Sequence, residues 1–233
     1  AQLTFVLIYS LAGLGLMLVA GFTGQFSIGH AAFLGMGAYT HGVLVNMGVP
    51  FPLALLLAAL LSAATGVVIG VPALRVKGIY LGMATLSFGF IVQEVFARWT
   101  SVTGGNRGMH VLAPDIFGWK LESSGQFYYL CLLLTVLCTL AILNLLRSST
   151  GRAFVAIRDS EVSAQGMGIH LARYKTTSFA LSAAITGIAG ALYAHKLQFI
   201  SPEQFGLLQS IELLLLIVVG GLGSVHGAFL CAI

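Results

Sequence analysis

Long apolar runs alternate with short polar segments along almost the whole chain. The runs cover residues 3–20, 27–46, 53–74, 79–96, 127–146 and 176–194, and a last one starts near residue 209. About 20 apolar residues cross a bilayer as a helix. The runs are continuous and do not alternate with polar positions, which argues against a β-barrel. The pattern therefore predicts an all-α polytopic integral membrane protein with about seven transmembrane helices in one domain, residues 1–233.

The second run breaks its own apolar character. The stretch "GFTGQFSIGHAAFLGMGAYT", residues 21–40, overlaps the start of this run and holds five glycines and no formally charged residue. Polar groups within a span are tolerated where they face protein or a water-filled cavity. Gln25, Ser27 and His30 are therefore candidates for a translocation path, with Thr85 and Ser87 as second choices. The alternative is hydrogen bonding between helices.

Composition strengthens the membrane assignment and excludes other classes. Only 8% of the residues are charged and 58% are hydrophobic, whereas soluble domains average about 25% charged residues. The net charge of +4 is then attributed to basic loops and not to nucleic-acid binding. The three cysteines lie in apolar runs, and the histidines show no ligand spacing. We expect no enzymatic activity, no metal site and no bound cofactor.

The distribution of basic residues predicts an orientation. Alternating loops place seven Lys and Arg residues on one side and four on the other, and five of the seven lie in the loop 147–175. Because basic loops stay in the cytoplasm, 147–175 is predicted to be cytoplasmic and 97–126 to be external. The chain starts and ends inside apolar runs, so we interpret it as a fragment truncated at both ends.

The loop 147–175 has a pattern of its own. Small and apolar residues at 153, 154, 157 and 164 predict short helices that lie at the membrane surface. Two interpretations remain open, an amphipathic element held by membrane lipid and a docking element for a cytoplasmic partner.

Two further features concern the spans. A stripe of small residues in the sixth span predicts a close helix–helix contact, and it consists of Ser182, Thr186, Gly190 and Ala194. Glu94 has Arg98 four residues later, which predicts an ion pair near the outer interface. Glu212 follows the start of the last run and is interpreted as an interface anchor or a residue of the path.

Five sequence blocks stand in the order of a known family. They are "GFTGQFSIGHAAFLGMGAYT", "YLGMATLSFGFIVQEV", "TSVTGGNRGM", "GRAFVAIRDSEVSAQGMGI" and "FISPEQFGLLQSIELLLLIVVGGLGSVHGAFL". Together they resemble the LivM-like permeases, which are membrane subunits of ABC importers for branched-chain amino acids. The resemblance covers nearly the whole chain.

The resemblance implies a permease of the bacterial inner membrane that works by alternating access. Its partners would be two cytoplasmic ATPase subunits, a second, LivH-like permease and a periplasmic substrate-binding protein, with ATP used by the ATPases alone. The resemblance also implies an ATPase coupling loop, whose candidate residues are Gly151, Arg152, Arg158, Asp159, Glu161, Ala164 and Gly168. We expect Gly151 and Gly168 to bracket this element as turns. A permease for urea or short amides and an ion-coupled secondary transporter remain as alternatives.

Overall fold

The computed structural model describes residues 2–71, 76, 78–112, 115–116, 119–120 and 124–230. Within this part of the chain, each of the seven predicted spans corresponds to a helix. These helices are α1 (Gln2–Met17), α2 (His30–Asn46), α3 (Phe51–Gly70), α4 (Ile79–Arg98), α6 (Ser124–Arg147), α9 (Leu171–Leu197) and α10 (Leu207–Gly220). The all-α, polytopic membrane fold is confirmed.

Five of the seven helices among the described residues are long and apolar enough to cross a membrane, when the π-helical turn that follows α1 is counted with it. The exceptions are α2, with 17 residues, and α10, with 14. Large apolar side chains on α3, α4 and α6 are exposed. Such a surface is suited to lipid or to another membrane subunit.

The remaining elements are short and connect the long helices. They are α5 (Thr100–Thr103), α7 (Ser149–Asp159), α8 (Glu161–Gly166), α11 (Val225–Leu230) and the strands β1 (Met109–His110), β2 (Asp115–Ile116), β3 (Trp119–Lys120) and β4 (Phe199–Ile200). β1 pairs antiparallel with β4, and β2 pairs with β3. Parts of the predicted loop 97–126 lie outside the described residues, and so do Arg75 and Lys77, which are two of the seven basic residues predicted on the cytoplasmic side.

Helix α9 lies at the centre of the bundle, where it contacts α1, α2 and α3. α2 runs parallel to it, since His30 contacts Thr186 and His41 contacts His195 further along both helices. Glycines allow the close approach. A Cβ at Gly37 would overlap the backbone of Gly187, so the two helices pack backbone against backbone.

The chain between α1 and α2 is not helical. After α1 comes a π-helical turn, Leu18–Phe22, and residues 23–29 have no regular structure before α2 begins at His30. The predicted start of the second span at residue 27 is therefore wrong by three residues. Irregular backbone at membrane depth needs partners from the protein, and here Ile28 N donates to Thr85 Oγ1 at 3.0 Å and Ala31 N donates to Ser210 Oγ at 3.1 Å.

Helix α10 also starts inside the bundle. A one-turn 3-10 helix, Pro202–Phe205, leads into it, and the Phe205 ring packs against Tyr39 and Gly35 of α2. The C-terminal end of α10 leads through Gly221 and Gly223, both with positive φ, into α11. A Cβ on Gly21 would lie 2.8 Å from Gly223 N, so this turn touches the π-helical turn that follows α1.

Candidate functional site

Four of the five predicted path residues are buried and lie in or beside the irregular segment 23–29. Gln25 Nε2 donates to Ser178 Oγ at 3.0 Å, and Ser27 Oγ lies 3.5 Å from His30 Nδ1. Thr85 Oγ1 accepts from Ile28 N and donates to the Gly82 carbonyl. These bonds join the segment to α4 and α9. Contact of these side chains with a solute stays a prediction.

The fifth residue, Ser87, lies apart from this cluster. Its side chain is exposed and its hydroxyl donates to the Met83 carbonyl, one turn earlier in α4. Thr85 and Ser87 are two positions apart on a helix, so they point in different directions. The structure therefore brings Thr85, but not Ser87, to the polar cluster.

His30 is held by hydroxyl groups on both ring nitrogens. Its Nε2 lies 2.9 Å from Thr186 Oγ1 and 3.1 Å from Ser182 Oγ. The Ser182 hydroxyl donates to the Gly15 carbonyl at 2.5 Å, so toward His30 it can only accept. A neutral ring with its proton on Nε2 then satisfies Ser182, and Nδ1 accepts from Ser27. The side chain of His30 thus connects the start of α2 to the middle of α9.

The small-residue stripe of α9 is buried along its whole length. Ser182 and Thr186 contact His30, and a Cβ on Gly190 would overlap the Leu34 carbonyl of α2. Ala194 is fully buried beside His195, whose Nε2 lies 2.7 Å from His41 Nε2. The stripe therefore lies on the faces of α9 that contact α1 and α2.

The loop 147–175 folds into α7 and α8, as two short helices joined at Ser160. The apolar residues of its pattern are buried, namely Ala153, Phe154, Ile157 and Ala164. Ser160 caps α8, because its hydroxyl accepts from Ser163 N at 3.3 Å. The predicted short helices are confirmed in this loop.

The two glycines predicted to bracket this loop differ from each other. Gly168 has φ of +81° and follows the end of α8, as expected of a turn. Gly151 instead lies within the first turn of α7, so the prediction of a turn there is wrong. A Cβ at Gly151 would overlap the backbone of Leu146. Its glycine character therefore permits α7 to pack tightly on the end of α6.

Two of the charged loop residues contact the body of the protein. Glu161 Oε1 forms a 2.6 Å ion pair with Lys175 Nζ at the start of α9, and the Lys175 side chain is only 3% exposed. Arg158 Nη1 donates to the Gly21 carbonyl at 3.2 Å, and its Nε lies 3.2 Å from Asp159 Oδ1. Arg152 is exposed, and its Nη1 donates to the Arg147 carbonyl at the end of α6.

Two apolar residues of the loop that are not among the predicted site residues are exposed. Val162 is 80% exposed and Met167 is 70% exposed. A groove in the same loop is lined by Gln165, Ile169, His170 and Ala172 among other residues. Residue type alone does not single them out, because a helix with the same pattern could also bury them. No local pattern points to Lys175 either, since its ion-pair partner Glu161 lies 14 residues earlier.

The two acids near the spans are placed differently. Arg98 Nε lies 2.5 Å from Glu94 Oε1, both side chains are exposed, and the predicted ion pair is confirmed. Glu212 accepts from Gln209 Nε2 at 3.2 Å, and Gln209 in turn contacts Tyr9 of α1. Glu212 is exposed, and its interpretation as an interface anchor or a residue of the path stays a prediction.

Comparison with known proteins assigns the chain to a family. The family model described as the branched-chain amino acid transport system permease component matches residues 1–233. The chain belongs to this permease family. It is 36% identical over 255 aligned residues to the high-affinity branched-chain amino acid transport system permease protein LivM of Salmonella typhimurium strain LT2 and, equally, to LivM of Escherichia coli strain K12.

Both alignments cover 99% of the chain and 60% of the relative, so the chain spans about three fifths of the length of these LivM permeases. A more distant relative is the autoinducer 2 import system permease protein LsrC of Salmonella typhi, at 25% identity over 98% of the chain and 67% of that relative. No solved structure matches the chain. The family and the apolar helices together make the protein a multi-pass membrane permease.

Proposed function

We propose that the chain is the permease subunit of a binding-protein-dependent ABC importer of the bacterial inner membrane. Its solute is a branched-chain or other hydrophobic amino acid. The observation that carries this proposal is the 36% identity to two LivM permeases over 99% of the chain. The partners are two cytoplasmic ATPases, a second, LivH-like permease and a periplasmic binding protein.

In this proposal the chain binds no cofactor, and ATP is used by the partner subunits. The solute crosses by alternating access, in which the permease exchanges between two global states. The chain contributes a bundle with an irregular segment at 23–29 and a cytoplasmic element, α7–α8, that docks on an ATPase. Val162 and Met167 supply exposed apolar area for docking, and apolar anchors carry much of the energy of such interfaces.

Membership of the family does not by itself specify the solute. The LsrC relatives are named for autoinducer 2 import, so similar chains serve systems for chemically different solutes. Urea and short amides therefore stay as alternatives. Ion coupling has less support, because it calls for paired acids inside the spans, whereas Glu94 pairs with Arg98 at an exposed position and Glu212 binds Gln209.

Reconstitution of the complete importer tests the docking assignment. We expect Val162→Asp and Met167→Asp to weaken ATPase association by roughly tenfold or more. Each variant places a charge where the proposed interface with the ATPase would bury an apolar side chain. ATP-driven uptake of leucine into proteoliposomes should fall in parallel. Leu112→Asp is the matched control, because Leu112 is equally apolar and 61% exposed but lies on the predicted external side.

Two outcomes would contradict the proposal at different levels. If the unmodified complex takes up no branched-chain amino acid with ATP, the function itself is wrong. If uptake is normal and the Val162 and Met167 variants bind the ATPases as well as the control does, only the docking surface is wrong.

A further inference from the structure

Arg158 reaches from the cytoplasmic element into the junction between α1 and α2. It is the penultimate residue of α7, and its Nη1 donates to the carbonyl of Gly21 in the π-helical turn. Its side chain also covers Gly24, where a Cβ would come within 3.1 Å of Arg158 Cγ. Gly24 has a φ of +67°, in the region that favours glycine.

The same guanidinium group lies beside the second glycine turn. A Cβ on Gly223 would be 3.5 Å from Arg158 Nη1. Gly223 follows α10 and touches Gly21 through its backbone nitrogen. One side chain therefore contacts two glycine turns, one after α1 and one after α10, that lie against each other.

These two turns are suited to movement. Isolated π-helical turns are rare and frequently occur at functional sites, and glycines with positive φ adopt conformations that other residues rarely reach. Hinges of domain motions are a few residues at the ends of elements. The remainder of α7 packs rigidly, since Phe154 and Ile157 are buried. A displacement of α7 would therefore pull on Gly21 through the Arg158 hydrogen bond.

We infer that Arg158 is a positioning residue that transmits the movement of the docked α7–α8 element to the Gly21 and Gly223 turns. This role rests on the proposed function, and it separates two tasks within the loop. Val162 and Met167 bind the ATPase, while Arg158 connects the bound element to the transmembrane helices. Without Arg158 the ATPases dock and hydrolyse ATP, but less solute moves for each ATP consumed.

The test uses the complete importer in proteoliposomes with leucine as the solute. Three quantities are measured: ATPase association with the permease, ATP hydrolysis stimulated by the binding protein, and leucine taken up per ATP. We expect Arg158→Ala to leave association within about twofold of the unmodified complex and to lower leucine per ATP by roughly tenfold. Arg158→Lys keeps a cationic donor, so it should recover part of the loss.

Arg173→Ala is the matched control, because Arg173 is an exposed arginine of the same loop, at the start of α9, and is not among the candidate coupling residues. It should leave all three quantities unchanged. The inference is overturned if Arg158→Ala loses ATPase association together with uptake, which would make Arg158 a docking contact. It is also overturned if leucine per ATP is unchanged. Should the alanine variant not assemble, an Arg158→Lys variant with normal association and lowered leucine per ATP supports the role, and one with unchanged coupling or with lost association contradicts it.

Failure of this inference differs from failure of the proposed function. An unmodified complex without ATP-driven leucine uptake rejects the function. An active complex in which Arg158→Ala behaves like the Arg173→Ala control rejects the transmission role and leaves the function intact.

Discussion

Individual glycine residues determine how closely the helices of this permease pack. Gly29 lies against the Thr85 carbonyl, Gly37 against Gly187 and Gly190 against Leu34. Between membrane helices there is no hydrophobic driving force, so association depends on van der Waals contact and hydrogen bonds at short range. Each of these glycines therefore controls the position of an entire helix.

A methyl group at Gly37 should destabilise the bundle. Its Cβ would overlap backbone atoms of Gly187, which cannot move away as a flexible side chain could. Overpacking of this kind costs about 1–3 kcal/mol, and for a chain of this size Gly37→Ala should lower the apparent melting temperature in detergent by about 5 °C. Gly166→Ala is the control, since nothing lies within 4 Å of its Cβ; an equal loss there would contradict the packing argument.

Polar side chains stabilise the irregular segment 23–29 between α1 and α2. Thr23, Gln25 and Ser178 form one hydrogen-bonded group, and Ser27, His30, Ser182 and Thr186 form another. These groups supply the partners that an irregular segment needs inside a membrane protein. The polar residues that interrupt the second apolar run are therefore explained by the end of one helix and the late start of the next.

At the scale of elements, the ion pair between α8 and α9 fixes the α7–α8 element to the bundle. Lys175 is almost fully buried and Glu161 Oε1 lies 2.6 Å from its Nζ. Removing one partner of a buried pair leaves a charge without compensation. A charge reversal at Glu161 would therefore disturb the fold of the loop as well as any contact with an ATPase.

The pair can be tested by a double-mutant cycle. Glu161→Met and Lys175→Met should each lower stability by about 2 kcal/mol, whereas the double variant should lie closer to the unmodified protein, because two apolar residues can replace an ion pair. Thermal unfolding in detergent is the measurement. The exposed pair Glu94–Arg98 is the control and should show little coupling. Additive losses at Glu161 and Lys175 would show that the pair does not act as a unit.

The sequence predicts elements better than it predicts their contacts. Hydrophobic length locates all seven helices, because the membrane allows few alternatives to a helix of about 20 residues. Hydrophobic length misplaces the start of α2 at residue 27, since Ser27 and Ile28 are residue types that also occur within transmembrane helices. The start of α10 inside the bundle is likewise set by tertiary packing of Phe205 on Gly35.

The candidate site depends on residues that are far apart in sequence. Gln25 and Ser178 are 153 positions apart, and Arg158 and Gly21 are 137 positions apart. Residue type suggested that Gln25 and Arg158 matter, but no local pattern could name their partners. The exposure of Val162 and Met167 also requires the fold, because the same pattern is compatible with a helix that buries them.

For the whole molecule, contacts divide the bundle into two ends. At one end Arg158 reaches Gly21 and Glu161 pairs with Lys175. At the other end Asn46 Nδ2 donates to the His110 carbonyl, and β1 pairs with β4. The loops 147–175 and 105–112 thus lie at opposite ends of the helices, and the excess of basic residues in 147–175 predicts that this end faces the cytoplasm.

Cysteine labelling in whole cells and inverted vesicles tests this orientation. In a background without the native cysteines, Asn106→Cys and Asp159→Cys each place one thiol at an exposed position. A membrane-impermeant maleimide should label position 106 only from outside the cell and position 159 only from the cytoplasmic side. The same background without an introduced cysteine should stay unlabelled from either side and serves as the control. Both exposed sites are measured in one assay. The reverse labelling pattern would place α7–α8 outside the cell, away from any ATPase. That result would reject the orientation together with the docking role of Val162 and Met167.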